Sequence, residues 1–201
     1  MKTIAFYGDS FCQSHRDDSW CVLLAEKLQS SITRFGIGGS SIWTTFIEFE
    51  KDQKNNNIAD YLVFCWTDET RLYHPALPLT PNNKPIEGTD KNIWQAAEHY
   101  YKYLSFNDKD DIAYRYSLKY FDQNILKKHE SNSNIIQMWS MLPKDFALTS
   151  GKFINESCLI HSWDGDTEAK VNPDINLSNH MTKEQNKTWA QKIYDNIDSR
   201  V

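Results

Sequence analysis

Three short apolar runs of strand length recur along this chain, at positions 3–7, 61–66 and 134–139. The first is rich in β-branched and aromatic residues, and none of the three alternates between apolar and polar side chains. A strand that is apolar on both faces has to be covered on both sides, which is the usual situation in a parallel sheet. The runs therefore favour folds in which helices cover both faces of a sheet.

The segments between these runs supply the rest of such a fold. Weaker strand patterns lie at 31–35 and 153–160, and a helical pattern begins at Asp18, with Asp17 or Asp18 as its N-cap. Strands that alternate with helices indicate a parallel sheet. We therefore predict an α/β protein with a three-layer α/β/α fold, a flavodoxin-like parallel sheet with helices on both faces.

The C-terminal segment has the signature of a helix that starts at a defined residue. Thr182 and Gln185 have the spacing of a capping box. The apolar residues that follow recur at helical spacing: Trp189, Ala190, Ile193, Tyr194 and Ile197. This pattern predicts a last helix that packs one face against the core.

The length of 201 residues fits a single domain, and 40% apolar residues suffice for a substantial core. We predict one domain over residues 1–201, with a helical insertion at about 72–130 that contains helices at 93–104 and 110–127. The insertion is unusually aromatic, with Trp94, Tyr100, Tyr101, Tyr103, Tyr114, Tyr116, Tyr120 and Phe121. These side chains either pack two amphipathic helices or form a surface for a sugar or a partner.

Composition excludes several classes of partner. The formal net charge is -5 and the basic residues are scattered, which argues against nucleic acid. No apolar run approaches a membrane span and no N-terminal stretch has a secretory pattern, so we expect a cytoplasmic protein without a membrane partner. The 4 cysteines lack metal-ligand spacing, and we predict buried thiols, no metal and no cofactor. The many Asn and Lys residues suit an AT-rich genome such as that of a phage.

A serine follows the first predicted strand at the point where the chain turns. Gly8 ends the apolar run, and the short polar side chains of Asp9 and Ser10 favour a turn or a cap. Ligands of open α/β sheets bind outside the carboxyl ends of the strands, so we expect Ser10 at the functional edge. A serine hydroxyl needs a base within hydrogen-bond reach to act as a nucleophile. Of the 6 histidines, His180 is the best candidate, because it lies in a polar loop before the last helix.

The order of these residues resembles that of a known family. Ser10 follows the first strand, Gly39 follows the second, and His180 precedes the last helix, as in the SGNH, or GDSL, hydrolases. The resemblance implies that Ser10 is the nucleophile and His180 the base. It also implies an oxyanion hole formed by the backbone N–H groups of Ser10 and Gly39 and a side-chain amide after the third strand. Gly39 has a second explanation, a loop that requires a positive φ.

The residue that orients the histidine departs from the family pattern. The family's aspartate stands three residues before the histidine, a position that Leu177 holds here. Asp174 is the nearest replacement as the third member of a triad, Asn176 is a neutral alternative, and a Ser-His dyad is another. Asp164 and Asp166 are further candidates, and their spacing is also that of a fragment of a calcium loop, which no downstream ligands complete.

The third oxyanion donor is the other departure. Where the family has Gly-x-Asn-Asp, this chain has Trp66-Thr67-Asp68-Glu69, with Asp68 in place of the amide. An ionised carboxylate repels an oxyanion, so either Asp68 is protonated, or Thr67 or Arg71 donates instead, or catalysis is lost. We assign Asp68 and Thr67 to the oxyanion hole, and Asp9 and Arg71 to substrate binding.

These residues predict a serine hydrolase of the esterase type, which cleaves an acetyl or short acyl ester of a small molecule or a carbohydrate through Ser10 and His180. The alternative is a binding or structural module on the same fold, for instance in a viral or bacterial assembly, which the two departures favour. A nucleotide-binding domain and a conventional α/β-hydrolase have less support. The chain has neither a Gly-rich phosphate loop after the first strand nor a Gly-x-Ser-x-Gly elbow.

Overall fold

The computed structural model describes residues 1–13, 17–81, 84–163, 171–172, 177–178 and 180–198. Its centre is a five-stranded parallel sheet in the order β2-β1-β3-β4-β5. The strands are β1 (Lys2–Gly8), β2 (Ser30–Arg34), β3 (Tyr61–Trp66), β4 (Asn134–Trp139) and β5 (Lys152–Ser157). A separate antiparallel pair consists of β6 (Val171–Asn172) and β7 (Leu177–Ser178).

Helices cover both faces of the sheet. The described residues form six α-helices: α1 (Trp20–Lys27), α2 (Ile42–Lys54), α3 (Lys91–Tyr103), α4 (Asn107–Asn124), α5 (Cys158–Trp163) and α6 (Lys183–Asp198). Helices α1, α5 and α6 contribute to the core on one face, and α2 and α4 to the core on the other. The three-layer α/β/α prediction is therefore confirmed.

The central strands are buried on both faces. In β1, Ile4 and Phe6 lie in the core with α1 and α6, while Ala5 and Tyr7 lie in the core with α2 and α4. All four are at most 1% exposed. Because neighbours along a strand point to opposite faces, an apolar strand supplies both cores at once. The predicted strands at 61–66 and 134–139 coincide with β3 and β4.

The predicted C-terminal helix is confirmed as α6, with its capping box. The backbone N–H of Thr182 donates to Gln185 Oε1 at 2.8 Å, and the backbone N–H of Gln185 donates to Thr182 Oγ1 at 3.4 Å. Trp189, Ala190 and Ile193 are fully buried. This helix brings the residues just before it, including His180, to the sheet.

The start of α1 differs from the prediction. The helix begins at Trp20, and Ser19 rather than Asp17 or Asp18 holds the N-cap position. The Ser19 side chain makes no capping bond, and the backbone N–H of Trp20 donates to Asn186 Oδ1 of α6 at 2.8 Å. The first N–H of α1 is thus bonded to a side chain from a distant part of the chain. A local sequence pattern contains no information on such a partner.

Helix α2 is an element that the sequence patterns do not predict. Its first turn, residues 42–45, consists of β-branched and aromatic residues, which are weak helix formers. Ile42, Thr45 and Phe49 are buried at helical spacing. Packing against the sheet therefore decides the conformation of this segment.

The predicted helices at 93–104 and 110–127 correspond to α3 and α4, each of which starts two or three residues earlier than predicted. Their aromatic residues divide into three groups, of which one, Tyr100 and Tyr101, is partly buried. Trp94, Tyr114 and Phe121 are buried, whereas Tyr103, Tyr116 and Tyr120 are 59%, 69% and 64% exposed. Core packing accounts for the buried group only. Among the described residues, no helix has both the length and the apolar character needed to span a bilayer.

Candidate active site

Ser10 begins a single 3-10 turn, Ser10–Cys12, directly after β1. Gly8 has a φ of +149°, and a Cβ at this position would lie 2.3 Å from the carbonyl oxygen of Cys65, so only glycine fits. The Asp9 carboxylate accepts a hydrogen bond from the Phe11 N–H at 3.0 Å and caps the turn. We call residues 8–12 the serine turn. It presents Ser10 at the carboxyl edge of the sheet.

The carboxylate of Asp9 is fully buried against the protein. Its Oδ2 accepts a hydrogen bond from Ser140 Oγ at 2.6 Å and lies 3.0 Å from Arg71 Nη2. Asp9 is predicted to bind substrate, whereas its carboxylate lies against three groups of the chain itself, the Phe11 N–H, Ser140 and Arg71. Ser140, which directly follows β4, was not singled out; its position just past a predicted strand is the signal that could have found it.

We call residues 35–41, the loop after β2, the glycine loop. It is hydrogen-bonded to the serine turn. The Ile37 N–H and the Ser40 hydroxyl each donate to the Gly8 carbonyl at 2.9 Å. The Gly36 N–H donates to the Cys12 carbonyl at 3.0 Å. The glycine loop is therefore bonded to both ends of the serine turn.

Two neighbouring glycines in this loop have different roles. Gly39 has a φ of +70°, and a Cβ there would lie 2.2 Å from Pro78 Cβ, so backbone conformation and close packing both require glycine. A Cβ at Gly38 would lie 3.9 Å from Ser10 Cβ and 2.5 Å from Gln13 Oε1. Gly38, which the sequence patterns do not single out, is thus close to Ser10.

Asp68, after β3, is bound within its own turn. Its Oδ1 accepts hydrogen bonds from the backbone N–H and the hydroxyl of Thr70, at 2.9 and 2.5 Å. Its Oδ2 lies 4.0 Å from Arg71 Nε. One carboxylate oxygen is therefore occupied by local donors, and the other faces a cation.

The two other groups considered as oxyanion donors also lie after β3. Thr67 is 2% exposed, and within the described part of the chain its Oγ1 is buried without a hydrogen-bond partner. The side chain of Arg71 is 10% exposed, and its Nη1 donates to the Ser40 carbonyl at 3.3 Å. Arg71 thus joins the serine turn, through Asp9, to the glycine loop.

His180 lies against the serine turn from the other end of the chain. Its ring stacks on Phe11, the residue after Ser10, with centroids 5.0 Å apart and an interplanar angle of 6°. The Asn186 side chain in α6 donates to the Met181 carbonyl at 3.1 Å and holds the chain next to His180. The serine turn therefore contacts both the glycine loop and the residue predicted as the base.

The candidates for the acid that orients His180 are not placed by the structure. Asp164, Asp166, Asp174 and Asn176 lie outside the described residues. Leu177, which holds the family's aspartate position, is in β7. The third member of the triad stays a prediction.

The four cysteines are free thiols in one core, as predicted: Cys12, Cys21, Cys65 and Cys158. Burial raises the pKa of all four, which keeps them protonated and unreactive. In the described ranges, no group of three or more His, Cys, Asp or Glu side chains is arranged to hold a metal ion.

A small cavity is lined by the glycine loop, including Gly38, the glycine near Ser10. Its volume is about 190 Å³, and it lies between the glycine loop, one side of α2 and residues 72–78. Ser41 at the start of α2 lines it and is 1% exposed, with an Oγ that has no hydrogen-bond partner in the part of the chain the structure describes. The Pro-rich loop after β3 therefore borders this edge of the sheet.

Comparison with known proteins gives structural likeness only. No protein-family model matches the sequence, and no curated protein matches it. The structure is similar to a protein from Desulfitobacterium hafniense DCB-2 described as lipolytic and of the G-D-S-L family, at 11% identity, with a TM-score of 0.50, over 98% of this chain and 99% of that one. It is also similar to the acetyl xylan esterase Est2A from Butyrivibrio proteoclasticus, at 11% identity, with a TM-score of 0.54, over 99% of this chain and 64% of that one.

The chain has the SGNH hydrolase fold. The resemblance drawn from Ser10, Gly39 and His180 is confirmed at the level of the fold. In this SGNH fold, the serine follows β1, the glycine loop follows β2, and the histidine precedes α6. Asp68 after β3 and Leu177 before the histidine remain departures from the family pattern.

Proposed function

We propose that this protein is a serine ester hydrolase, with Ser10 as the nucleophile and His180 as the general base. The observation that carries the proposal is the stacking of His180 on Phe11, at the edge where the glycine loop also reaches Ser10. Residues from opposite ends of the chain thus meet at the turn that carries Ser10. This convergence supports the proposal, because a serine nucleophile needs a base that approaches its hydroxyl.

In the proposed reaction, His180 takes the hydroxyl proton of Ser10 while Oγ attacks the ester carbonyl carbon. The proton passes to the leaving alcohol as the carbon–oxygen bond breaks, and a water molecule then hydrolyses the acyl-serine by the same route. Asp174 is the proposed group that orients His180, with Asn176 or a Ser-His dyad as alternatives.

The backbone N–H groups of Ser10 and Gly39 are the proposed oxyanion donors. The buried Oγ1 of Thr67, which has no partner among the described residues, supports Thr67 as the third donor. Asp68 is less suited in its ionised form, because one oxygen is held by Thr70 and neither oxygen carries a proton to donate.

The proposed substrate is an acetyl or short acyl ester, of a small molecule or a carbohydrate. The cavity lined by the glycine loop, at about 190 Å³, is smaller than the roughly 300–1,000 Å³ typical of drug-sized ligands, which supports a small bound group. A protein of similar fold is an acetyl xylan esterase. Acetylated xylan is therefore the first carbohydrate ester to test.

A second candidate is a binding module that keeps the SGNH fold without turnover. The carboxylate at Asp68, where the family has an amide, and the leucine at position 177 both favour it. The two candidates differ in whether Ser10 is activated.

Reaction with a fluorophosphonate probe, with the adduct located by mass spectrometry, distinguishes them. We expect labelling at Ser10 in the wild type and none in Ser10→Ala, with strongly slowed labelling in His180→Ala. An unlabelled, folded wild-type protein would favour the binding module.

Kinetics on 4-nitrophenyl acetate test the shared mechanism. We expect Ser10→Ala and His180→Ala each to remove nearly all turnover, and the double variant to be little worse than either, because residues that act as one unit are strongly non-additive. Losses that multiply in the double variant would contradict a Ser10–His180 unit.

A further inference from the structure

The buried carboxylate of Asp9 is the point at which the loops around Ser10 meet. It accepts hydrogen bonds from the Phe11 N–H at 3.0 Å and from Ser140 Oγ at 2.6 Å, and it forms an ion pair with Arg71 at 3.0 Å. Asp9 and Ser140 are both fully buried. A buried carboxylate is stable only when its partners are held in good geometry, so these contacts restrict its position closely.

The partners of Asp9 come from different loops at the carboxyl edge. Ser140 follows β4, and Arg71 lies in the loop after β3. Arg71 also donates to the Ser40 carbonyl of the glycine loop at 3.3 Å, and its Nη2 lies 3.6 Å from Met141 Sδ. The carboxylate and the guanidinium together connect the segments that follow β1, β2, β3 and β4.

We propose that Ser140 and Arg71 are positioning residues for Ser10, which act through Asp9. The inference rests on the proposed function, because it concerns how Ser10 and the glycine loop are held for catalysis. Asp9 directly precedes Ser10 and caps its turn, so a shift of the carboxylate moves the hydroxyl. Reacting groups have to be held within about 0.5 Å of productive geometry, and a displacement near 1 Å can reduce the rate about 10²-fold.

Ser140→Ala is the test variant, because it removes the bond to Asp9 and leaves the backbone anchored. The Ser140 N–H donates to the Trp66 carbonyl at 2.8 Å, and the Leu159 N–H donates to the Ser140 carbonyl at 3.0 Å. Ser133→Ala is a matched control at the opposite edge of the sheet. Ser133 is 8% exposed and its Oγ donates to the Ala59 carbonyl at 2.8 Å.

We expect Ser140→Ala to lower kcat on 4-nitrophenyl acetate between about 10- and 100-fold, with KM nearly unchanged and fluorophosphonate labelling slowed by a similar factor. Ser133→Ala is expected to change kcat less than about 2-fold, although it also loses a buried hydrogen bond donated by a serine hydroxyl, to a backbone carbonyl. Equal effects of the two variants on kcat would overturn the proposal, because a structural role alone predicts that result.

Arg71→Lys gives a second measurement. Lysine keeps the charge beside Asp9 but cannot hold the carboxylate and the Ser40 carbonyl together with a planar fork. We expect a fall in kcat here as well. A double-mutant cycle on kcat combines Asp9→Asn with Ser140→Ala. If Ser140 acts through Asp9, we expect the double variant to lose less activity than the product of the two single losses. A loss equal to that product would contradict an effect of Ser140 through Asp9.

Amide hydrogen exchange tests the positioning independently of turnover. In Ser140→Ala, the N–H groups of Phe11 and Ile37, which donate to Asp9 and to the Gly8 carbonyl, are expected to exchange at least about 10-fold faster than in Ser133→Ala. If the wild type neither hydrolyses esters nor labels, the proposed function fails, and exchange still decides the positioning. Unchanged exchange at both amides in Ser140→Ala would overturn it.

Discussion

At the scale of single residues, Asp68 is the position where this chain has a carboxylate and the family has an amide donor. Its Oδ1 accepts two hydrogen bonds from Thr70, and its Oδ2 lies near Arg71. An asparagine can keep the first interaction through its amide oxygen and place an NH₂ group where Oδ2 stands. If Asp68 lies at the oxyanion site, the substitution exchanges a carboxylate for an amide donor with little change in shape.

We expect Asp68→Asn to raise kcat for 4-nitrophenyl acetate, by up to roughly 10²-fold, which is the scale of one oxyanion donor. The measurement is the kcat of the variant and the wild type across pH. Thr67→Val is the companion variant, because it removes the other candidate donor without changing volume much. If Asp68→Asn changes neither rate nor pH profile, Asp68 lies outside the oxyanion site and Thr67 or Arg71 becomes the group to test.

The two glycines of the glycine loop give a second prediction. We expect Gly39→Ala to lower the free energy of unfolding by roughly 1–3 kcal/mol, because its φ is +70° and Pro78 leaves no room for a Cβ. Gly38→Ala meets only the flexible end of Gln13, so its stability is expected to stay within about 0.5 kcal/mol while kcat falls, since the methyl lies next to Ser10. Urea unfolding and kinetics of both variants check this, and a reversed pattern would contradict it.

At the scale of secondary-structure elements, one residue of α6, Asn186, makes two kinds of contact. Its Oδ1 accepts a hydrogen bond at 2.8 Å from the backbone N–H of Trp20, the first residue of α1. Its NH₂ group donates to the carbonyls of Met181 at 3.1 Å and Thr182 at 2.9 Å. The same side chain thus joins two helices and holds the segment that follows His180.

We expect Asn186→Ala to lower the free energy of unfolding by about 2 kcal/mol, because it leaves several buried polar groups without partners. It is also expected to lower kcat, since the His180 segment loses an anchor. Asn124→Ala is a control, because its exposed side chain donates only one described hydrogen bond, to Tyr120 within α4. An Asn186 variant as stable as this control would show that the contacts are not important for folding.

At the scale of the whole molecule, two buried aspartates form hydrogen bonds between the sheet and the helices α2 and α4, which lie on the same face. Asp52 of α2 accepts hydrogen bonds from Tyr7 of β1 at 2.8 Å and from Arg34 of β2 at 2.6 Å. Asp122 of α4 accepts from Gln137 of β4 at 2.7 Å and from the Ser150 N–H at 2.9 Å. Burial raises the pKa of each carboxyl, but these hydrogen bonds together outweigh it, so both pKa values lie below the ordinary value.

A carboxyl with a lower pKa in the folded chain stabilises the fold above its unfolded pKa, and that stabilisation is lost as the pH falls through the folded pKa. We therefore expect the free energy of unfolding to be nearly constant from pH 7 to about 5 and to fall below about pH 4. Asp122→Asn is expected to lower it by roughly 1.5–3 kcal/mol at pH 7 and to weaken its acid dependence. Urea unfolding of the variant and the wild type against pH measures both.

Much of the fold was predictable because its signals are local. The apolar run at 61–66 matches β3, and the spacing of Thr182 and Gln185 matches the start of α6. Helix α2 was missed because its first turn has low helix propensity and depends on tertiary packing. At the site, Ser10 and His180 could be named from their order. The position of Ser140 just past β4 is a local signal, but its contact with Asp9 depends on which strands are neighbours, as does the proximity of Gly38 to Ser10.

The sequence by itself determined where β1, β3 and β4 lie, that Gly8 ends β1 and that Ser10 stands at the turn, because these properties depend on residues within a few positions of each other. The strand predicted at 153–160 is β5 only as far as Ser157, and helix α5 begins at Cys158. The tertiary structure alone decided that Asp9 is buried between Ser140 and Arg71, and that His180 stacks on Phe11. Those contacts join residues far apart in the chain, and they form only when the strand order brings the loops to one edge. The free energy that selects this arrangement comes from burial shared by the whole core, which no local pattern contains.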